Sequence, residues 1–128
     1  MKHREHNSFL TPLVVEVMPS GKRFRLYNTF TYRWGSKNII IPVGFVTDFA
    51  SIPRVFRWLI EKLGRHNKAA VVHDALYQNV APGCYNFTRK MVDQCFLAGM
   101  ADLGVVKWKR TLMYWAVRLF GWASWGKR

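Results

Sequence analysis

The chain has 128 residues, half of them hydrophobic, and 20 lysines and arginines against 7 acidic residues, for a formal net charge of +13. That length and apolar content exclude a disordered chain and allow one domain with a real core. Two cysteines exclude a disulfide framework, and the charge favours anionic partners: nucleic acid, acidic lipid headgroups or an acidic protein surface.

The first third reads as β structure. Residues 1–6 are charged and no apolar run follows them, so no secretion signal is expected. Residues 13–18 form a short apolar run, and Pro19-Ser20-Gly21-Lys22 is a turn signal. Residues 23–33 then alternate, with Phe24, Leu26, Asn28, Phe30 and Tyr32 on one face. That period of two predicts a half-buried strand. Residues 34–38 turn the chain into a third strand over 38–43, and three adjacent antiparallel strands are the simplest arrangement.

The remainder reads as helix. Ser51 and Pro53 suit the start of a helix over about 54–63, stopped by Gly64. A second helix is predicted over about 67–79, ending before Pro82-Gly83. A third spans about 88–103, with Thr88 as its cap and Gly104 as its stop. A fourth spans about 107–123. Strands followed by helices predict an α+β fold over residues 1–128, β-rich to about 45 and helical over 51–125. It would hold an N-terminal antiparallel sheet of about three strands and about four helices.

Acids are scarce, so their positions carry information. His73-Asp74-Ala75-Leu76-Tyr77 places an ionisable pair in an apolar helix, where polar groups are costly unless paired or working. His73 and Tyr77 are four residues apart and share a face, while Asp74 points about 100° round from His73. On the next helix Arg89, Asp93, Phe96, Leu97 and Met100 form one stripe. A short connection favours antiparallel packing of the two helices, which would bring Asp93 to face His73. A carboxylate against an imidazole fixes its tautomer and supports the imidazolium once a proton is taken, so His73 could activate water. The alternative is a buried His-Asp-Arg-Tyr network that only satisfies itself.

Asp48, before Ser51, and Asp74 are the further candidates for a metal. One histidine among carboxylates, with no positioned thiol, suits a hard cation such as calcium better than zinc. Asp48 could also partner Arg89, and Ser51 could be a nucleophile near His73. Both also read as turn and cap residues at a strand-to-helix junction. His3, His6 and His66 show no ligand spacing with His73.

Two resemblances attach to these motifs. His73-Asp74-x-x-Tyr77, followed by Asp93 and Phe96, resembles the helix pair of phospholipase A2, the viral capsid and bacterial forms above all. The resemblance implies that His73 is the general base for water and that Asp93 orients it. It also implies that Asp74 binds calcium and that Tyr77 is a supporting hydrogen-bond donor. It covers about residues 69–100. The family's glycine-rich calcium loop and helix-linking cysteines are not found, and Gly44-Phe45-Val46-Thr47-Asp48 would take the loop's place. The second resemblance runs from about 40 to 121. It combines Pro42-x-Gly44-Phe45-x-Thr47-Asp48-Phe49-Ala50-Ser51-Ile52-Pro53-Arg54, the His73 motif, Arg89 with Asp93, and Tyr114-x-x-Val117-Arg118-x-Phe120-Gly121. In that order the motifs are similar to a phage and prophage family of unknown function. This implies a phage-encoded protein of the host cytoplasm or the virion, with virion proteins or an anionic membrane surface as partners. Nothing resembles a recognised nucleic-acid motif, so nucleic acid rests on charge alone.

The C-terminal segment carries a second stripe: Trp108, Leu112, Trp115, Leu119 and Trp122, widened by Val117 and Phe120. The first expectation is a core helix packed on the sheet. The other is a cationic, tryptophan-rich face for a membrane interface or an anionic partner. Residues 112–125 are too short to span a bilayer and contain Arg118.

Overall fold

The alternating run after Gly21 does form β structure, but as two strands rather than one. The structure, a computed structural model, describes residues 7–21, 23–47 and 67–125. Its strands are β1 (Asn7–Phe9), β2 (Val15–Val17), β3 (Phe24–Leu26), β4 (Phe30–Trp34), β5 (Lys37–Ile41) and β6 (Val46–Thr47). They form two antiparallel three-stranded sheets, ordered β1-β4-β5 and β2-β3-β6.

The expected long strand breaks after Leu26 because its backbone groups there are already taken. Leu26 donates to Phe45 and accepts from Gly44, and Tyr27 donates to Val14. The exposed Asn28-Thr29 pair offers no apolar surface to continue the ladder, and the chain bends into the other sheet. The alternation survives the bend, so Leu26, Phe30 and Tyr32 all point inward. A period of two thus identified the inward face correctly while hiding the change of sheet.

Among the described residues four helices follow: α1 (Asn67–Tyr77), α2 (Arg89–Asp102), α3 (Lys107–Phe120) and the single turn α4 (Trp122–Trp125). The predicted helix over 54–63 lies outside the described residues. Local chemistry sets the boundaries of α2. The Thr88 hydroxyl accepts from the Met91 amide at 3.1 Å, satisfying one of the free N–H groups of the first turn. At the other end Gly104, at φ +82°, donates to Ala101 and Val105 donates to Met100. That pair of bonds closes the helix in a geometry that needs the left-handed backbone glycine adopts freely. The α+β expectation therefore holds, with two small sheets in place of one.

The core has two parts. Leu26, Phe30, Tyr32, Ile39 and Ile41 of the strands pack with Val71, Val72, Ala75, Leu76 and Tyr77 of α1 and with Val92 and Cys95 of α2. Ala69, Ala70, Phe96, Met100, Val105, Met113 and Val117 join the three long helices. Phe9 packs against both, its ring 4.3 Å from that of Tyr32. Each large side chain so buried stabilises the fold by roughly 1.5–3 kcal/mol. Tyr32 also donates to Asp102 at 3.1 Å, fastening β4 to the C-terminal turn of α2.

The expectation that the tryptophan stripe is core is overturned. The inner face of α3 is Met113, Ala116 and Val117, whereas Trp108, Leu112, Trp115, Leu119 and Trp122 are exposed. Ala116 and Val117 on that face are small, and they let α3 lie close to α2.

Candidate functional site

The pairing of α1 with α2 brings His73 and Asp93 together. His73 Nε2 donates to Asp93 Oδ1 at 2.8 Å, and the Tyr77 hydroxyl donates to the same oxygen at 2.7 Å. One turn of helix separates the two donors, so a single carboxylate oxygen serves both. Because a carboxylate only accepts, this contact assigns the hydrogen to Nε2 and leaves Nδ1 of a neutral ring as an acceptor. The imidazole packs between its neighbours, its centroid 4.1 Å from the Tyr77 ring and 4.7 Å from the Phe96 ring and its plane tilted 37° to each.

The second carboxylate oxygen faces two arginines. Arg118, in the last turn of α3, donates to Asp93 Oδ2 at 2.9 Å. Arg89, one turn before Asp93 on α2, reaches the same oxygen at 3.5 Å. Its guanidinium also donates to the carbonyls of Val117 and Arg118 at 3.0 and 3.2 Å. Those carbonyls lie at the C-terminal end of α3, where the helix dipole favours a cation. Asp93 is fully buried, and it joins α1, α2 and α3 through four donors. Burial alone would push its carboxyl up. The hydrogen bond and charge of His73 and the hydrogen bonds of Tyr77 and Arg118 outweigh that and hold it below the usual carboxylate range. Burial, then the hydrogen bond to Asp93, pushes the Tyr77 phenol far above its ordinary value, so it remains a donor.

The turn after α3 is shaped to admit Tyr77. A methyl group on Gly121 would stand 2.5 Å from the Tyr77 hydroxyl oxygen and 2.5 Å from the Val117 carbonyl oxygen. Only glycine leaves room there. The Trp125 ring then closes on Tyr77 edge to face, with centroids 5.1 Å apart.

The other expected site residues are placed differently. Asp74 is buried, and it accepts from the Gln78 amide at 2.9 Å. Asp48 and Ser51 lie outside the described residues. Among the described residues no group of three or more His, Cys, Asp and Glu side chains could hold a metal ion. A calcium ion takes about six to eight oxygen ligands. Among the described residues Asp74 alone of the expected ligands is present, and Asp48 lies outside them. Cys84 and Cys95 are free and buried, and burial pushes both thiols up, which suits packing and not nucleophilic chemistry.

Arg118 is the site residue that spacing missed. Read along α3 it lies off the tryptophan stripe and looks like a solvated charge. The usable signal was its neighbourhood: an arginine three residues before a glycine, within the Tyr114 to Gly121 motif.

A family model described as Protein of unknown function (DUF1353) matches residues 24–117. The chain belongs to that family. The match takes in Asp93 and three of its four donors, His73, Tyr77 and Arg89, and stops one position before the fourth, Arg118. The family relationship carries no activity. A relative described as uncharacterized protein y4jT, from Sinorhizobium fredii (strain NBRC 101917 / NGR234), is 35% identical over 83 residues. That similarity covers 63% of this chain and 23% of the relative. No solved structure gives a significant match.

Proposed function

We propose that the chain is a phage-encoded hydrolase in which His73 and Asp93 form a phospholipase A2-like pair acting on a lipid ester. The observation that carries the reading is the contact of His73 Nε2 with Asp93 Oδ1 at 2.8 Å, with Tyr77 on the same oxygen. This is the arrangement of base, orienting carboxylate and supporting phenol that the helix-pair resemblance implies. The phage origin is supported by the order of the motifs across residues 40–121. It places the protein in the host cytoplasm or the virion, with virion proteins or an anionic membrane surface as partners.

In this reading Nδ1 of neutral His73 takes a proton from water as the water oxygen bonds to the ester carbonyl carbon. Asp93 stabilises the resulting imidazolium and keeps the ring from turning. When the bond from the carbonyl carbon to the alkoxy oxygen breaks, the proton passes from Nδ1 to the departing oxygen. The products are a carboxylic acid and an alcohol.

A second reading is favoured by a specific observation. Two guanidiniums share one oxygen of Asp93, and His73 is only 2% exposed. A carboxylate saturated in this way suits a lock between three helices, in a virion, tail or assembly component without catalysis. Nucleic acid as a partner is supported by the charge alone.

Hydrolysis of phospholipid vesicles and of a soluble aryl ester, with and without calcium, separates the two readings. The hydrolase reading expects turnover by the wild type and its loss in His73→Ala and in His73→Gln, with both variants shown to be folded by circular dichroism. Equal turnover in wild type and folded variants refutes it. So does the absence of turnover in the wild type under all four conditions.

A further inference from the structure

Helix α3 is apolar on two opposite sides. Met113, Ala116 and Val117 face α2, and the opposite side presents Trp108, Leu112, Trp115 and Leu119. Trp108, Trp115, Leu119 and Trp122 are 60%, 54%, 62% and 68% exposed. Side chains of this size seldom stand together in water without a partner. Trp108, Leu112, Trp115 and Leu119 follow at spacings of four, three and four residues, so they lie almost in line along the axis of α3. At about 1.5 Å per residue that line is about 17 Å long.

Charge says which partner fits. The stripe is flanked by Lys107 and Lys109, and the Lys109 ammonium stands 5.5 Å from the centroid of the Trp108 ring. Residues 107–128 contain six lysines and arginines and no acidic residue, within a chain of net charge +13. A second copy of this chain would bring the same positive charge to the face and be repelled. An anionic surface that is also apolar beneath its charges matches both features. Indole rings settle at the boundary between headgroups and acyl chains, and flanking lysines meet the phosphates. Lys107, Trp108, Thr111, Leu112 and Trp115 line one open, largely apolar surface. No helix among the described residues is long and apolar enough to cross a membrane, and α3 carries its outer stripe along one side only.

We infer that the outer face of α3 is a peripheral membrane-docking surface, which lies flat on an anionic bilayer with Trp108, Trp115 and Leu119 inserted to headgroup depth. The inference rests on the anionic-surface part of the reading above and not on its hydrolytic part. It is read by binding alone, so hydrolysis can fail without affecting it.

The test is flotation of the full chain with vesicles of phosphatidylglycerol and, separately, of phosphatidylcholine. Two variants accompany the wild type: the triple variant Trp108→Ser, Trp115→Ser, Leu119→Ser, and the charge variant Lys107→Glu, Lys109→Glu. All the changed positions are exposed on one face, so circular dichroism should show native helix content. The wild type is expected to float with phosphatidylglycerol and to bind phosphatidylcholine weakly. Both variants should bind phosphatidylglycerol about tenfold or more weakly, the triple variant at unchanged net charge. If the triple variant does not fold, the charge variant decides alone.

The inference is overturned if the wild type binds neither lipid, if it binds both equally, or if the folded variants bind as the wild type does. A wild-type dimer that the triple variant dissociates, without vesicle binding, would assign the face to a second copy. Duplex DNA bound in place of vesicles would assign it to nucleic acid.

Discussion

Asp93→Asn is the most informative single substitution. It keeps the size of the side chain and removes its charge. In the wild type Oδ1 accepts from His73 and Tyr77, and Oδ2 from Arg118 and Arg89. An asparagine can still accept at one oxygen, but its amide nitrogen would then point N–H groups at two guanidiniums. Two cations, each about a fifth exposed, lose their counter-ion. Breaking a buried ion pair by removing one partner costs about 3–5 kcal/mol. Partial exposure of the arginines and the remaining hold of Arg89 on the α3 carbonyls argue for the lower end, about 3 kcal/mol. With a urea slope of about 2 kcal/mol per molar, the unfolding midpoint should fall by about 1.5 M at pH 7. The pH dependence gives an independent check. The folded carboxyl lies below its unfolded value of about 3.9, so its contribution is fully present above about pH 5. That contribution fades as pH falls through the unfolded value toward the folded one. The gap in urea midpoint between wild type and variant, read by circular dichroism, should therefore narrow from pH 7 to pH 3. A variant within about 0.5 kcal/mol of wild type at pH 7, or a gap that persists unchanged to pH 3, would refute the assignment of Asp93 as the charged centre of the helix junction.

Two further outcomes follow from the same geometry. Tyr77→Phe removes one donor to a charged acceptor without altering ring packing on Trp125, and should cost about 1.5–3 kcal/mol at pH 7. The folded phenol lies above its unfolded value of about 10, so its contribution is present below that value and is lost as pH rises toward the folded one. The difference between Tyr77→Phe and wild type in urea midpoint should thus narrow between pH 9 and 11, and a constant difference would count against the bond. Gly121→Ala places a methyl against the Tyr77 hydroxyl and should cost about 1–3 kcal/mol, read as a lower thermal midpoint. The double variant Gly121→Ala, Tyr77→Phe should cost less than the sum of the two changes, and strict additivity would show that the clash lies elsewhere.

Much of the helical half was legible because its signals are local. Thr88, Gly104 and the Pro82-Gly83 pair mark ends by satisfying or removing backbone groups within a few residues. The meeting of His73 with Asp93 was also legible. It needs only helical spacing and a short connection, and the structure gives 2.8 Å. The sheets were less so, because the change of sheet after Leu26 depends on pairing with residues 44–45, a partner that alternation cannot name.

The tryptophan stripe was misread for a related reason, and the cause connects the two surfaces of α3. Periodicity finds both apolar faces of that helix and cannot say which turns inward; the larger one was taken for core. The choice is made by the polar centre. Arg89 must reach the Val117 and Arg118 carbonyls at 3.0 and 3.2 Å, and Arg118 must reach Asp93 at 2.9 Å. Such bonds require the backbone of α3 to lie close to α2. Ala116, Val117 and Gly121 permit that approach, whereas a face of indoles would hold the helix axes apart. Once the small face is committed to the Asp93 centre, the tryptophans are on the outside by helix geometry alone. The buried carboxylate and the exposed aromatic face are therefore one design constraint. A substitution that loosens the first, such as Asp93→Asn, should also change the solvent exposure of the second, which tryptophan fluorescence quenching by acrylamide would register.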